Sequence, residues 1–281
     1  MMKRATLYSA VLLLPALLLS GCVLEESLRK VDLGETLRVG QQAFGEVDQK
    51  QELEIGKEAS AVLLGAAPLH GDTKLQSYVN RVGLWIAQQS ERPDLPWKFG
   101  VIETSSINAF AAPGGHVFIT SGLLRLMQSE AELAGVLGHE IAHVIQKHHL
   151  KAVQQSARLD LASMVVASQL DEDRQRQLER ISNGFRDLYS RGLERDDEYE
   201  ADRMGVILAA RAGYDPYGLP AVLQTLGALN PADSDLALLF GTHPSPAQRL
   251  SRLERHYPQL DRYAGQAMLA ERYRQQTRML N

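Results

Sequence analysis

The residues of this chain whose types and spacing could do chemistry are His139-Glu140-Ile141-Ala142-His143. Histidines four apart on a helix lie about 40° apart around its axis, so both imidazoles face one point at a spacing that suits Zn–N bonds. Glu140 sits beside that face, within reach of a water at such a metal, where it would act as general base. The plainer alternative is a pair of histidines on a solvated helix. Gly135, Gly138 and Ala142 argue against it, because small residues let neighbouring elements approach closely.

Two histidines leave a zinc short of at least one protein group. His149 lies six residues after His143, where the pattern His-Glu-x-x-His-x-x-Gly-x-x-His puts a ligand, but Gln146 replaces the required glycine. With no signal to turn there, the helix is expected to carry His148 and His149 onto solvated surface. Another candidate lies in Glu198-Tyr199-Glu200-Ala201-Asp202. On a helix Glu198 and Asp202 share a face while Glu200 is turned away by about 200°. Glu198 would then bind the metal, and Asp202 would reach the free ring nitrogen of a ligand histidine. Spacing alone leaves open a charged, solvated face, since acids and arginines crowd residues 171–203. His70, His116 and His256 have no ligand spacing and read as structural. Arg191 and Arg249 read as ion-pair partners of nearby acids.

The elements that must position these groups are mostly helical. Apolar residues recur at helical spacing over Gln51–Leu64 and Asp72–Gln89. Trp97–Ile102 and His116–Thr120 read as strands, the second entered through the turn Pro113-Gly114-Gly115. The histidine-bearing helix is expected from Glu130 to about Leu150, with Ser129 as N-cap and Glu132 completing a capping box. Further helices are expected at Ala152–Leu170, Arg174–Tyr189, Glu194–Ala212, 217–229 and 246–256. The fold class is therefore α+β, mainly α-helical, with a small β-sheet beside the active-site helix. If His116–Thr120 forms the edge of the cleft, it could pair with an extended peptide.

Composition narrows the function classes. The chain has 281 residues, 44% of them hydrophobic, which suits a globular core rather than a disordered or fibrous protein. With 34 Asp+Glu against 30 Lys+Arg it offers no broad positive field, so no nucleic-acid partner is expected. Its single cysteine permits neither an internal disulfide nor a Cys-rich zinc site. Any metal is left to histidine and carboxylate.

That cysteine, Cys22, closes an N-terminal stretch that reads as a secretory signal: Lys3 and Arg4, an apolar run over Leu7–Leu19, then Ser20-Gly21. The run is shorter than the about 20 residues that span a bilayer. Leu19-Ser20-Gly21-Cys22 resembles the lipobox of bacterial lipoproteins, whose cysteine is lipidated and becomes the new N-terminus after cleavage. The expected organisation is a signal peptide over 1–21, a lipid-anchored tether over 22–50, a domain carrying the His/Glu zinc motif over 51–256, which the family resemblance below implies is a metallopeptidase domain, and an amphipathic C-terminal tail over 257–281. Val23, rather than Asp, follows the cysteine and favours the outer membrane. The apolar stretch Leu159–Leu170, interrupted by Asp160, Ser163, Ser168 and Gln169, is too short to cross a bilayer.

His-Glu-x-x-His followed by Glu-x-x-x-Asp, with Arg203 and Gly205 after it, resembles the zinc endopeptidases related to CAAX prenyl proteases, HtpX and the mitochondrial Oma proteases, in their periplasmic lipoprotein branch. Glu54-Ile55-Gly56, Asn108-Ala109-Phe110-Ala111, Gly114-Gly115, Tyr189-Ser190-Arg191 and Thr242-His243-Pro244 extend the likeness over roughly residues 50–256. The resemblance implies a gluzincin-like core and one zinc held by His139, His143 and Glu198, with Glu140 as the catalytic base. It implies that His243 approaches the site, stabilising an oxyanion or acting as a fourth ligand; a loop histidine bonded to backbone is the alternative. It also implies unfolded or misassembled envelope proteins as substrates, possible outer-membrane assembly partners, and a protease in quality control. The rival function is a latent zinc-binding chaperone or assembly lipoprotein.

Overall fold

In the computed structural model, residues 47–155 and 174–280 are described, the side chains of the second stretch from residue 183 onward. The signal peptide, Cys22, most of the tether and the stretch Leu159–Leu170 lie outside the described residues. Among the described residues no helix is long and apolar enough to cross a membrane.

Helix α1 (Gln49–Ala66) starts at Asp48, whose carboxylate accepts the Gln51 N–H while the Gln51 side chain accepts the Asp48 N–H. Helix α2 (Thr73–Ala87) is capped by Asp72 and buries Leu75, Val79, Val82 and Ile86, the predicted stripe. Strands β1 (Lys98–Ile102), β2 (Ala109–Ala112) and β3 (His116–Thr120) form one sheet in the order β1-β3-β2. β1 runs parallel to β3, with Phe99 opposite Val117, and β2 runs antiparallel to it, with Phe110 opposite Phe118. Gly114 and Gly115 turn β2 into β3 at φ of 76° and 98°, a region that favours glycine.

This order corrects one expectation. His116–Thr120 is the central strand, and the edge belongs to β2. Ala-Phe-Ala-Ala has no apolar/polar alternation, so its pairing was not visible in the pattern.

Helix α3 (Ser121–Leu126) leads to α4 (Glu130–Ile145). Ser129 accepts the Glu132 N–H as predicted, while the Glu132 carboxylate takes the N–H of Gln128 instead of that of the cap residue. Nearly every residue of α4 is buried, so this helix is the centre of the molecule. It stops at Ile145, well short of Leu150: Gln146 caps it and Lys147 adopts a left-handed conformation at φ 58°. A left-handed non-glycine residue costs about 1–2 kcal/mol. The Lys147 ammonium, 3.5 Å from the buried Glu52 carboxylate, offsets part of that cost.

Helices α5 (Arg174–Arg191), α6 (Arg195–Arg211), α7 (Gly218–Gly227), α8 (Ala237–Thr242) and α9 (Pro246–Glu254) follow. Three acids in the first turn of α6, Asp196, Asp197 and Glu198, complement its helix dipole. The short α10 (Tyr257–Leu260) and α11 (Ala270–Thr277) fold back onto the core. Tyr273 is buried and donates to the Leu124 carbonyl, while Arg272 pairs with the buried Glu130, which Tyr78 and Tyr214 also bond. The observed architecture is mainly helical with one small sheet, as the fold class predicted.

Candidate metal centre and its cleft

Helices α4 and α6 cross where Gly138 meets Gly205. A Cβ on Gly138 would stand 2.7 Å from the Gly205 carbonyl oxygen, and one on Gly205 would stand 2.6 Å from the His139 nitrogen. Without side chains at the crossing, the two backbones come close enough for their polar residues to meet in a buried space.

His139 Nε2 and His143 Nε2 lie 3.1 Å apart. Glu198 places its carboxylate oxygens 3.7 Å from the first and 3.5 Å from the second. All three residues are buried, and they are a group among the described residues able to hold a metal ion. Behind them, an Asp202 carboxylate oxygen lies 3.0 Å and the Arg249 guanidinium 3.3 Å from His139 Nδ1; for His139 to offer Nε2 to a metal, Nδ1 must carry the proton, with Asp202 as its acceptor. Arg249 grips Asp202 with two hydrogen bonds of 2.9 and 2.6 Å. Two nitrogens and a carboxylate are a donor set that zinc accepts, and its tetrahedral geometry at Zn–N of about 2.05 Å needs ligand atoms about 3.3 Å apart. The group therefore fits zinc.

The electrostatics agree with these roles. Burial, and then the nearby Glu198 charge, pushes the Glu140 carboxyl up to about 8, so it readily holds a proton. Burial works to raise Glu198, yet His243, His139 and Arg249 outweigh it and bring the group down to about 2. Burial, reinforced by His139, holds the His143 ring well below the usual histidine value. Asp202 is held below the usual carboxylate range by Arg249 and His139 in spite of its burial.

The centre opens into a narrow cleft lined by Asn108, Phe110, Glu140, His149, Tyr189 and His243. His243 follows α8, and its Nδ1 lies 2.5 Å from a Glu198 carboxylate oxygen, so the loop does bring this ring to the centre. The β2 edge forms one wall, where the Ala111 carbonyl accepts the Tyr189 hydroxyl at 2.9 Å.

Two histidines depart from expectation. His148 and His149 are buried, not solvated, because the turn at Lys147 folds them back under α4. His149 packs 5.4 Å from the His143 ring, and burial drives it down to about 3. Tyr189 belonged to a recognised motif but had no periodicity or charge signal pointing to the cleft. Arg249 does pair with an acid, Asp202, as expected, and Arg191 pairs with Asp187 at 3.2 Å.

A helix bearing His-Glu-x-x-His, crossed by a second helix that supplies a carboxylate, defines a metallopeptidase-type site. The chain matches the model of peptidase family M48 over residues 73–256, and it belongs to that family. It is 32% identical over 225 residues to the beta-barrel assembly-enhancing protease of Escherichia coli K12, covering 78% of this chain and 44% of that protein. A putative beta-barrel assembly-enhancing protease of Vibrio cholerae is 30% identical over 239 residues, covering 79% of this chain and 49% of the relative. Mitochondrial metalloendopeptidase OMA1 of Schizosaccharomyces pombe is 30% identical over 196 residues, covering 68% and 57% respectively. The chain thus spans less than half the length of the two bacterial relatives.

Proposed function

We propose that the chain is a zinc-dependent endopeptidase of the bacterial cell envelope that degrades misfolded or misassembled periplasmic and outer-membrane proteins. The observation that carries this reading is the convergence of His139 Nε2, His143 Nε2 and the Glu198 carboxylate in a buried site with Glu140 in the same cleft. Zinc there would supply a Lewis acid for the scissile carbonyl and a water of lowered pKa. Glu140, in the same cleft as the three ligands, would take the proton of the attacking water and deliver it to the leaving amine. His139, His143 and Glu198 would hold the metal, with Asp202, itself held by Arg249, fixing the His139 ring. An extended substrate would pair with the side of β2 turned from β3, displacing the Tyr189 hydroxyl from the Ala111 carbonyl, which would give backbone recognition with little sequence preference, as suits a quality-control enzyme.

The relatives named for β-barrel assembly support an envelope role, and the lipobox-like end at Cys22 supports attachment to the outer membrane on its periplasmic face. Outer-membrane assembly proteins are the natural partners in this setting. Loss of acyl-chain labelling in Cys22→Ala would support the anchor; undiminished labelling would refute it.

His243 favours a second reading. Its 2.5 Å bond to Glu198 puts the ring at the centre, where it could occupy the open metal position and hold the protein latent as a zinc-binding chaperone. Zinc content and cleavage of an unfolded protein, measured on wild type, Glu140→Gln and His243→Ala, separate the two. The endopeptidase reading expects cleavage by wild type and none by Glu140→Gln. The latent reading expects an inactive wild type and an active His243→Ala.

A further inference from the structure

We infer that His148 positions His143 for metal binding, taking for that ligand the place that Asp202 takes for His139. The inference rests on His143 being a metal ligand, as proposed above. His148 Nδ1 lies 2.9 Å from His143 Nδ1, with the ring centroids 5.0 Å apart and the planes at 73°. His148 is 1% exposed. Its other nitrogen, Nε2, has no hydrogen-bond partner among the described residues but lies 3.5 Å from both Asp197 Oδ1 and Glu200 Oε2.

These contacts allow one consistent proton arrangement. For His143 to offer Nε2 to a metal, its proton must sit on Nδ1. That N–H points at His148 Nδ1, which must then carry the lone pair, leaving the His148 proton on Nε2. There it faces two carboxylates, the neighbours an N–H prefers. At 3.5 Å these contacts are long for hydrogen bonds but close enough to favour a donor over a lone pair. Helix α6 thus supports both ligand histidines. Asp202 reaches His139 directly, while Asp197 and Glu200, on the side turned from the metal, reach His143 through His148.

The turn at Lys147 makes this possible. Had α4 stayed regular, residue 148 would point about 140° away from residue 143 around the axis. The helix end at Ile145 and the left-handed Lys147 return the His148 ring to the His143 ring instead.

The test is zinc affinity of the full chain, stripped and reloaded against a chromogenic chelator, with the melting temperature of the metal-free form measured alongside. His148→Phe preserves bulk but removes the acceptor, and should weaken zinc binding about 10- to 100-fold with little change in metal-free melting. His148→Asn puts an amide oxygen near the Nδ1 position and should restore affinity to within about threefold of wild type, a rescue that a packing role would not give. Should His148→Phe not fold, His148→Gln moves the acceptor off that position while staying polar, and should weaken zinc equally. Wild-type affinity in the Phe or Gln variant, or an Asn variant no better than they are, overturns the proposal. His143→Ala is the control: if it binds zinc as wild type does, the ligand assignment itself fails, and if it does not, only the role of His148 is at stake.

Discussion

Gly138 and Gly205 touch backbone to backbone, and the histidines and carboxylates of the metal centre flank that contact on the same two helices. The crossing leaves no room for a methyl group on either side. Gly138→Ala must therefore push α6 off α4, moving Glu198 and Asp202 away from His139. Overpacking of this kind costs about 1–3 kcal/mol. Denaturant unfolding of the metal-free chain should register that loss, and zinc affinity should fall with it. An alanine variant with unchanged affinity would mean the ligands do not depend on this crossing.

Glu140 is buried beside the metal ligands without being one of them. Glu140→Gln keeps the side-chain volume and removes the proton acceptor. It should retain one zinc per chain while cleavage of casein falls by about 10²- to 10⁴-fold, the usual worth of a general base. Elemental analysis and gel-based proteolysis check the two halves separately, and loss of zinc together with activity would instead make Glu140 a structural group.

The sequence made the centre legible because its ligands sit at fixed helical offsets, and α4 and α6 are regular helices through both motifs. The 3.6-residue period put His139 and His143 on one face, and Glu198 and Asp202 on another, but spacing left the acid pair open to a solvated-face reading that only the likeness to a known family resolved. What escaped was everything set by irregular backbone. Nothing local marks Lys147 as left-handed, so the return of His148 and His149 into the core could not be read from Gln146 alone. The β2 strand escaped because its pairing is decided by the partner strand β3 and the Gly114-Gly115 turn. The C-terminal segment is held by contacts scattered along the chain: Tyr273 in the core bonding Leu124, the Leu280 carbonyl taken by Arg125, and Arg272 on the Glu130 that Tyr78 and Tyr214 also bond.

Tyr189 lines the cleft where it meets the edge of β2. Its hydroxyl holds the Ala111 carbonyl, and its helix is packed down by Phe185 and Leu188. A peptide adding to β2 would compete for that carbonyl. Tyr189→Phe removes the bond while keeping the ring, and with a hydrogen bond worth about 0.5–1.5 kcal/mol the gain should be roughly 2- to 12-fold. The effect should fall on KM for an unfolded substrate rather than on kcat. An unchanged or raised KM would show that substrate does not use this edge.

Glu52 gives a pH dependence of known sign. Burial tends to raise its carboxyl, but the paired hydrogen bonds and charge of Arg92, the Lys147 ammonium and the Gly114 N–H outweigh it and hold it below the usual 4.5. A carboxyl whose folded value is depressed binds fewer protons in the folded state, so it stabilises the fold above the unfolded value and the stabilisation fades as pH falls through the folded one. Glu52 ties α1 to the β2–β3 turn and to the end of α4, so the loss should be felt at both. Unfolding free energies followed from pH 6 down to about 3 should therefore drop less steeply in Glu52→Gln than in wild type. The variant should also be less stable at neutral pH, because Arg92 loses its buried counter-charge. Parallel acid limbs for the two proteins would mean that Arg92 and Lys147 do not lower this carboxyl in solution.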